Sequence, residues 1–347
     1  MKYISKFLFF IFWTFVISHC QALNYEYEKS FGILNFNEPY SDGEFKLPYG
    51  SVIDESNNKI YVTDCPTGVI NIFDLDGNFL LKLPKNCEVN NSKKNCFDLP
   101  ADVNFTVNNE TIVVSDEKLN TLTVLRDNKI IKQSTDLTSI GVSYLLGVDY
   151  DSDKNHYAVV SSDNGKIFII DKNFGVKKEF GTLGNREDQF YSAYYLKFFK
   201  SNLYIVDQGN KRIKIYDENF KLKKILGKKV TCGLREIYYS LKDILNNLSD
   251  RKLSKFLNIF SCYEESDHKL AFSNPHEIDI DNNGNIYIAD TGNNRIKIYS
   301  ADFKLKKIVT HKNIKMPKVV SASNDGKMLF VGTNDTIKYG IHKFQLK

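Results

Sequence analysis

Four short segments pair a proline with side chains that can do chemistry: LPYG at Tyr49, LPAD at Asp102, NPHE at His276 and Glu277, and MPKV at Lys318. Two more, around Leu146 and around Tyr194, occupy the matching place in their own stretches without the proline. The imidazole of His276 can act as a general base near neutral pH. A Lys318 ammonium and a Tyr49 phenol beside it would suit an anionic ligand. The plainer reading is that His276 makes a hydrogen bond within the structure. His156, His268, His311 and His342 read as turn, insertion or edge positions and form no cluster in the sequence. No CxxC or Cys/His ligand spacing occurs, so no structural zinc site is expected. No cofactor is predicted; zinc or calcium at this group of residues would be the exception.

The elements that must position these residues are written as repeats. Short β-branched and aromatic runs recur along the chain: KIYVTD (59–64), TIVVSD (111–116), HYAVVSS (156–162), NLYIVD (202–207), NIYIAD (285–290) and MLFVGT (328–333). Each is bounded by Asn, Gly, Asp or Ser, the residues of tight turns. Most are followed by an alternating run such as VINIFD, KIFIID or RIKIYD, which predicts a strand with one buried and one wet face. A further strand precedes each pair and another, often lysine-rich, follows it. Four antiparallel strands in about 40–50 residues is the pattern of a propeller blade. Six such units are legible. The last lacks its fourth strand, and YEYEKSFG (25–32) supplies an unpartnered one, so the two termini are predicted to complete one blade and leave no open edge. The fold class is all-β, a six-bladed β-propeller over residues 23–347. The Pro-led segments then start the innermost strands, at the mouth of the central channel, where propeller ligands bind by default.

One interval breaks the rhythm. Between the fourth and fifth units, about 229–269, Leu241, Ile244, Leu245 and Leu248 and then Leu253, Phe256, Leu257 and Phe260 fall at helical spacing. A helical hairpin is expected there, either a packing cap or a docking arm. Cys232 and Cys262 bracket it, and Cys87 and Cys96 bracket a short polar loop; both are disulfide candidates, leaving Cys65 over.

Lys2 and Lys6 flank the apolar run Phe7–Ser18, which leads to Ala22. That is the pattern of a secretory signal peptide over 1–22, too short to span a membrane. Cys20 reads as part of it, with lipid anchoring the alternative. The expected location is secreted, extracellular or periplasmic, where disulfides persist. Losing Lys2 and Lys6 lowers the formal charge from +5 to +3, a balance that argues against nucleic acid as partner. Five N-x-S/T sequons (Asn90, Asn104, Asn109, Asn247, Asn334) are about what this composition gives by chance.

The run IYIADTGNNRIKIY (286–299), preceded by NPHEIDIDNNGN, closely resembles the NHL repeat, and LYIVDQGNKRIKIY (203–216) matches as well. The resemblance extends over nearly all of the mature chain, most clearly in units one, four and five, and implies a six-bladed propeller. Within each copy, Asp207 and Arg212, or Asp290 and Arg295, are spaced for turn construction, and Gly209 and Gly292 are read as relaxing the backbone angles there. A more distant likeness to the secreted peptide-amidating lyase implies three zinc-binding histidines, each after a proline. Here Tyr49, His276 and Lys318 occupy those three places, so that zinc site is not expected. Two functions follow as expectations. The first is an exported binding protein for a protein, peptide or glycan, acting through the channel face and the insertion. The second is a divergent lyase or hydrolase centred on His276. The oligomeric state is left open.

Overall fold

The computed structural model describes residues 24–37, 41–83, 86–89, 92–95, 97–106, 111–227, 269–334 and 339–347. Five four-stranded antiparallel sheets follow one another along the chain. Blade 1 is built from Pro48–Asp54, Lys59–Asp64, Val69–Asp74 and Phe79–Leu83, and blade 2 from Pro100–Phe105, Thr111–Asp116, Thr121–Arg126 and Lys129–Gln133. Blade 3 comprises Leu145–Asp151, His156–Ser161, Lys166–Asp171 and Val176–Phe180. Blade 4 comprises Ala193–Phe199, Asn202–Asp207, Arg212–Tyr216 and Leu222–Leu226, and blade 5 Pro275–Ile280, Ile286–Asp290, Arg295–Tyr299 and Leu305–Val309. The sixth sheet takes Pro317–Ala322, Met328–Thr333 and Tyr339–Leu346 from the C-terminus. Tyr25–Leu34 pairs antiparallel along Tyr339–Leu346, and Glu44–Phe45 adds a short parallel strand outside it. The first strands of consecutive blades touch all the way round, including blade 6 against blade 1.

The core lies between blades rather than within them. Six apolar clusters fill the six interfaces; one joins Val160 and Ile167 of blade 3 to Leu196 and Ile205 of blade 4, and another joins Phe330 of blade 6 to Ile60 of blade 1. This arrangement corrects the expectation of one wet face. TIVVSD is buried at every residue, and RIKIY is buried throughout in both copies. A blade has a neighbour on each side, so both faces of its middle strands are covered. Among the described strands the fourth ones are the most exposed, as in VKKEF (176–180), where the lysines keep the edge wet.

The duplicated motif joins one blade to the next. Asp207 is fully buried, accepts the Tyr191 amide at 2.9 Å from the linker before its blade, and holds Arg212 Nε at 2.7 Å. Asp290 does the same with the Ser273 amide and Arg295 Nε, both at 2.7 Å. Lys214 and Lys297 lie 3.7 and 3.6 Å from these carboxylates, fully buried, over the rings of Phe190 and Phe272. Burial pulls the two ammoniums down, to about 7 and about 8, against the attraction of the aspartates. Asp64 and Asp116 accept linker amides in blades 1 and 2, without an arginine five residues on. The glycines of the motif serve close approach, not unusual angles. A Cβ on Gly209 would sit 2.5 Å from the Tyr191 carbonyl, whereas the left-handed residues are Lys211 and Asn294.

Among the described residues the only helical pieces are 3-10 turns. The predicted hairpin over 229–269 falls, apart from Lys269, outside them, as do the side chains of Cys87, Cys96, Cys232 and Cys262. Cys65 is a buried free thiol. Asn104 cannot be a glycan acceptor in the folded chain: it is buried, and its amide donates to the Val148 carbonyl at 2.8 Å. His156 and His342 are buried inside blades 3 and 6 rather than placed at edges or turns.

Candidate functional site at the channel mouth

Every innermost strand begins with a break in register against its neighbour: between Pro48 and Ser51, Pro100 and Asp102, Leu145 and Val148, Ala193 and Leu196, Pro275 and Ile278, and Pro317 and Val319. A bulge of this kind re-aims side chains. Here it lets two consecutive residues turn towards the axis: Tyr194 and Tyr195 both lie against the His276 ring, at 5.0 and 5.1 Å between centroids. Tyr49 meets the same ring edge-on at 5.0 Å. Glycine at the second bulge position lets neighbouring strands close in, since a Cβ on Gly147 would meet the Tyr194 carbonyl at 2.7 Å.

The structure thus brings Tyr49, Tyr194, His276 and Lys318 together, as the sequence predicts for one mouth. Burial first, and then the neighbouring Tyr194, push the Tyr49 phenol well above its usual range. Lys318 Nζ stands 4.6 Å over the Tyr49 ring, a cation–π contact, with Cys65 and Glu117 near it. The His276 tautomer follows from its partner. Nδ1 lies 3.1 Å from the Lys318 carbonyl, which can only accept, so Nδ1 carries the proton and donates. Nε2 is then a bare lone pair, and it is buried without a hydrogen-bond partner. Burial first, and then the charge of Lys318, hold His276 well below the usual imidazole range, so the ring is neutral at physiological pH. Burial likewise pushes the Cys65 thiol up, out of the thiolate range.

One residue that sequence reasoning did not single out closes the channel beneath this group. Tyr195 crosses from blade 4 and donates its hydroxyl to the carbonyls of Tyr49 (2.8 Å) and Ala101 (3.0 Å) in blades 1 and 2. Its neighbour Tyr194 matched the repeat register; only the bulge, invisible in the sequence, turns both inward.

Asp102 and Glu277 sit in this deeper layer and are engaged by the backbone. Glu277 accepts the amides of Ser51 at 2.9 Å and Val320 at 2.5 Å, and Asp102 those of Val103 at 2.8 Å and Val148 at 3.0 Å. Further down, Asp149 accepts Phe198 N and Asp279 accepts Ala322 N, so each carboxylate reaches the next blade. Lys197 is the cation of this layer, 2.6 Å from Asn104 Oδ1 and 3.6 Å from Asp279. Burial pushes Asp102 up to about 7 and Asp149 to about 6, and it drives Glu277 well above the carboxylate range, helped by the charge of Asp102. These groups hold the ring together.

A metal fits the mouth poorly. Among the described residues no three His, Cys, Asp or Glu converge on a common point, and the donors nearest His276 are phenols and an ammonium. On the opposite face, a crevice of about 490 Å³ between blades 1 and 2, floored by Tyr61 and Phe105, is separate from this site.

The fold and the mouth define a six-bladed β-propeller, and residues 272–299 match the NHL repeat family model. Solved propellers superpose on nearly the whole chain. The WD40 β-propeller domain of Doa1 is 11% identical with a TM-score of 0.54, covering 93% of this chain and 97% of its own. A streptogramin B lyase is 13% identical with a TM-score of 0.52, covering 92% and 98%. Virginiamycin B lyase from Staphylococcus aureus is 12% identical with a TM-score of 0.50, covering 93% and 89%. At such identities the likeness speaks to the fold alone. No curated protein sequence is significantly similar to this chain.

Proposed function

We propose that this chain is an exported binding propeller that takes part of a protein, peptide or glycan ligand at the channel mouth. The observation that carries the reading is the unfilled lone pair on buried His276 Nε2, within a ring of three tyrosines and beside Lys318. An unpaired polar atom in a buried place costs about 1–3 kcal/mol. Nε2 of His156, buried inside blade 3, is also without a hydrogen-bond partner, so it is the company of three tyrosines and Lys318 at the inner-strand starts that sets His276 apart. The deeper carboxylates do not share this character, because backbone amides already meet them. The signal-like stretch 1–22 supports export. The segment 229–269, which the sequence places between the strands Leu222–Leu226 and Pro275–Ile280, is the proposed second contact.

A panel of immobilised glycans and peptides, probed with the secreted protein and with His276→Gln, Lys318→Met and a deletion of 233–261, tests the reading. Binding is expected to weaken in the two point variants while their circular dichroism stays native. Binding unchanged in both would remove the mouth from consideration. A second reading rests on the same tautomer: a neutral imidazole anchored through Nδ1, with Nε2 bare, is also how a general base is held. Conversion of a bound ligand by the wild type, seen by mass spectrometry and lost in His276→Gln, would favour a lyase or hydrolase over a binding protein.

A further inference from the structure

The face of the ring opposite the mouth carries two crevices of like size at equivalent blade junctions, and their chemistry differs. Between blades 5 and 6, in a crevice of about 500 Å³, the polar groups already have partners. Tyr287 donates its hydroxyl to Asp281 at 3.0 Å and lies 3.2 Å from the Tyr25 hydroxyl. Asp281 also accepts the backbone and side-chain amides of Asn285, at 2.8 and 2.7 Å. Asp302 pairs with Lys304 at 2.7 Å, Asp325 pairs with Lys327 at 3.1 Å, and Lys306 donates to Asn285 at 2.8 Å.

The crevice between blades 1 and 2, about 490 Å³, holds the equivalent tyrosine without those partners. Tyr61 precedes Asp64 as Tyr287 precedes Asp290, and Asp54 follows Pro48 as Asp281 follows Pro275. Asp54, however, accepts the Ser56 hydroxyl at 2.6 Å and the backbone and side-chain amides of Asn57 at 3.1 and 2.7 Å. Strand pairing puts Asn128 where Tyr25 stands: Phe344 pairs with Tyr27 and Leu125 with Ile130, and Tyr25 and Asn128 each lie two residues earlier. No described group hydrogen-bonds the Tyr61 hydroxyl. Burial first, and then the charges of Asp54 and Asp127, raise its phenol above the usual range, so it stays protonated and can donate. Lys59 from blade 1, and Arg126 and Asp127 from blade 2, rim the same crevice with no ion-pair partner among the described residues. Below them Tyr61 and Phe105 meet edge-on, 6.4 Å between centroids, and buried Ile112 and Leu125 complete an apolar floor.

A complementary ligand carries an anion for Lys59 and Arg126, a cation for Asp127, and an apolar group for the floor. A polyanion would meet Asp54 and Asp127 beside Tyr61, and a bare cation would meet Lys59 and Arg126. The volume lies within the range of small-molecule sites, about 300–1,000 Å³, and suits a ligand of two residues better than one. We propose that this crevice is a second site, independent of the mouth, which takes a zwitterionic dipeptide with an apolar side chain. The carboxylate lies between Lys59 and Arg126, the ammonium against Asp127, and the side chain on Phe105, Ile112 and Leu125. The Tyr61 hydroxyl donates to the peptide carbonyl.

The test uses L-alanyl-L-phenylalanine, its C-terminal amide and its N-acetyl derivative. Each is titrated into the secreted protein by calorimetry and by NMR with the isoleucine δ1-methyls labelled. The unmodified dipeptide is expected to bind and to move the Ile112 methyl signal, and loss of either terminal charge to weaken binding at least about tenfold, as for a hydrogen bond to a charged group. Lys59→Gln with Arg126→Gln should erase the preference over the amide, and Asp127→Asn the preference over the acetylated form, while circular dichroism stays native. Asn suits position 127, where φ is 50°. Equal binding of the dipeptide and either blocked form overturns the proposal. So does binding that leaves the Ile112 methyl unmoved, and so does no binding at millimolar concentration. None of these outcomes touches the mouth reading, whose residues lie on the other face.

Discussion

Replacing Asp207 with alanine removes one carboxylate from beneath two cations. Arg212 Nε lies 2.7 Å from it and Lys214 Nζ 3.7 Å, and neither side chain has appreciable access to water. Stranding a buried charge by deleting its partner costs about 3–5 kcal/mol. The Tyr191 amide, 2.9 Å from the same carboxylate, also loses its acceptor, worth about 1–3 kcal/mol more. Against a total stability of about 5–15 kcal/mol, the loss is about a quarter or more. Urea unfolding followed by tyrosine fluorescence and far-UV circular dichroism reads this as a lower midpoint with an unchanged slope. The triple variant Asp207→Leu, Arg212→Leu, Lys214→Met makes the argument strict. It removes all three charges, so its loss should be smaller than that of the single variant, with a coupling of several kcal/mol between the sites. At the exposed pair Lys304–Asp302, the same deletion should leave the midpoint where it was. If Asp207→Ala costs under about 1 kcal/mol, or the triple variant is the worse of the two, the buried ion pair does not organise the blade junction.

Three further outcomes follow from the channel. Asp102 titrates near 7 in the folded chain against 3.8 as a free carboxyl, so it favours the fold most at low pH and that contribution fades as pH rises through 7. The full swing is about 4 kcal/mol, and Asp102→Asn should flatten the decline in urea midpoint between pH 4 and 7.5; an unaltered pH profile contradicts the assignment. Tyr195→Phe deprives two buried carbonyls of their donor and should cost about 1–3 kcal/mol without changing secondary structure, whereas full wild-type stability would mean the plug is dispensable. Cys65 should react with a thiol reagent only after unfolding, because its protonated thiol is buried; rapid modification of the folded protein would place it at the surface.

The number of blades, the strand boundaries and the register of the mouth were legible before any coordinates, because they are written locally. Turn residues and β-branched runs mark each strand wherever the chain happens to pack, and the proline before His276 or Lys318 marks where an inner strand starts. Grouping Tyr49, Tyr194, His276 and Lys318 needed only that repeat register. Roles were not legible in the same way. RIKIY reads as an amphipathic strand with a wet lysine, yet Lys214 and Lys297 are wholly buried, because the neighbouring blade covers the face that alternation assigned to water. Glu277 reads as a ligand group beside His276, but it is spent on Ser51, 226 residues away in sequence. Tyr195 spans 146 residues to reach Tyr49. The repeats alone determine that this chain is a six-bladed ring and that Tyr49, Tyr194, His276 and Lys318 share one end of it. Only closing the ring decides which of them are satisfied by neighbours across the axis and which, like His276 Nε2, are buried without a hydrogen-bond partner. Hydrogen bonds across a channel join residues that no local pattern relates.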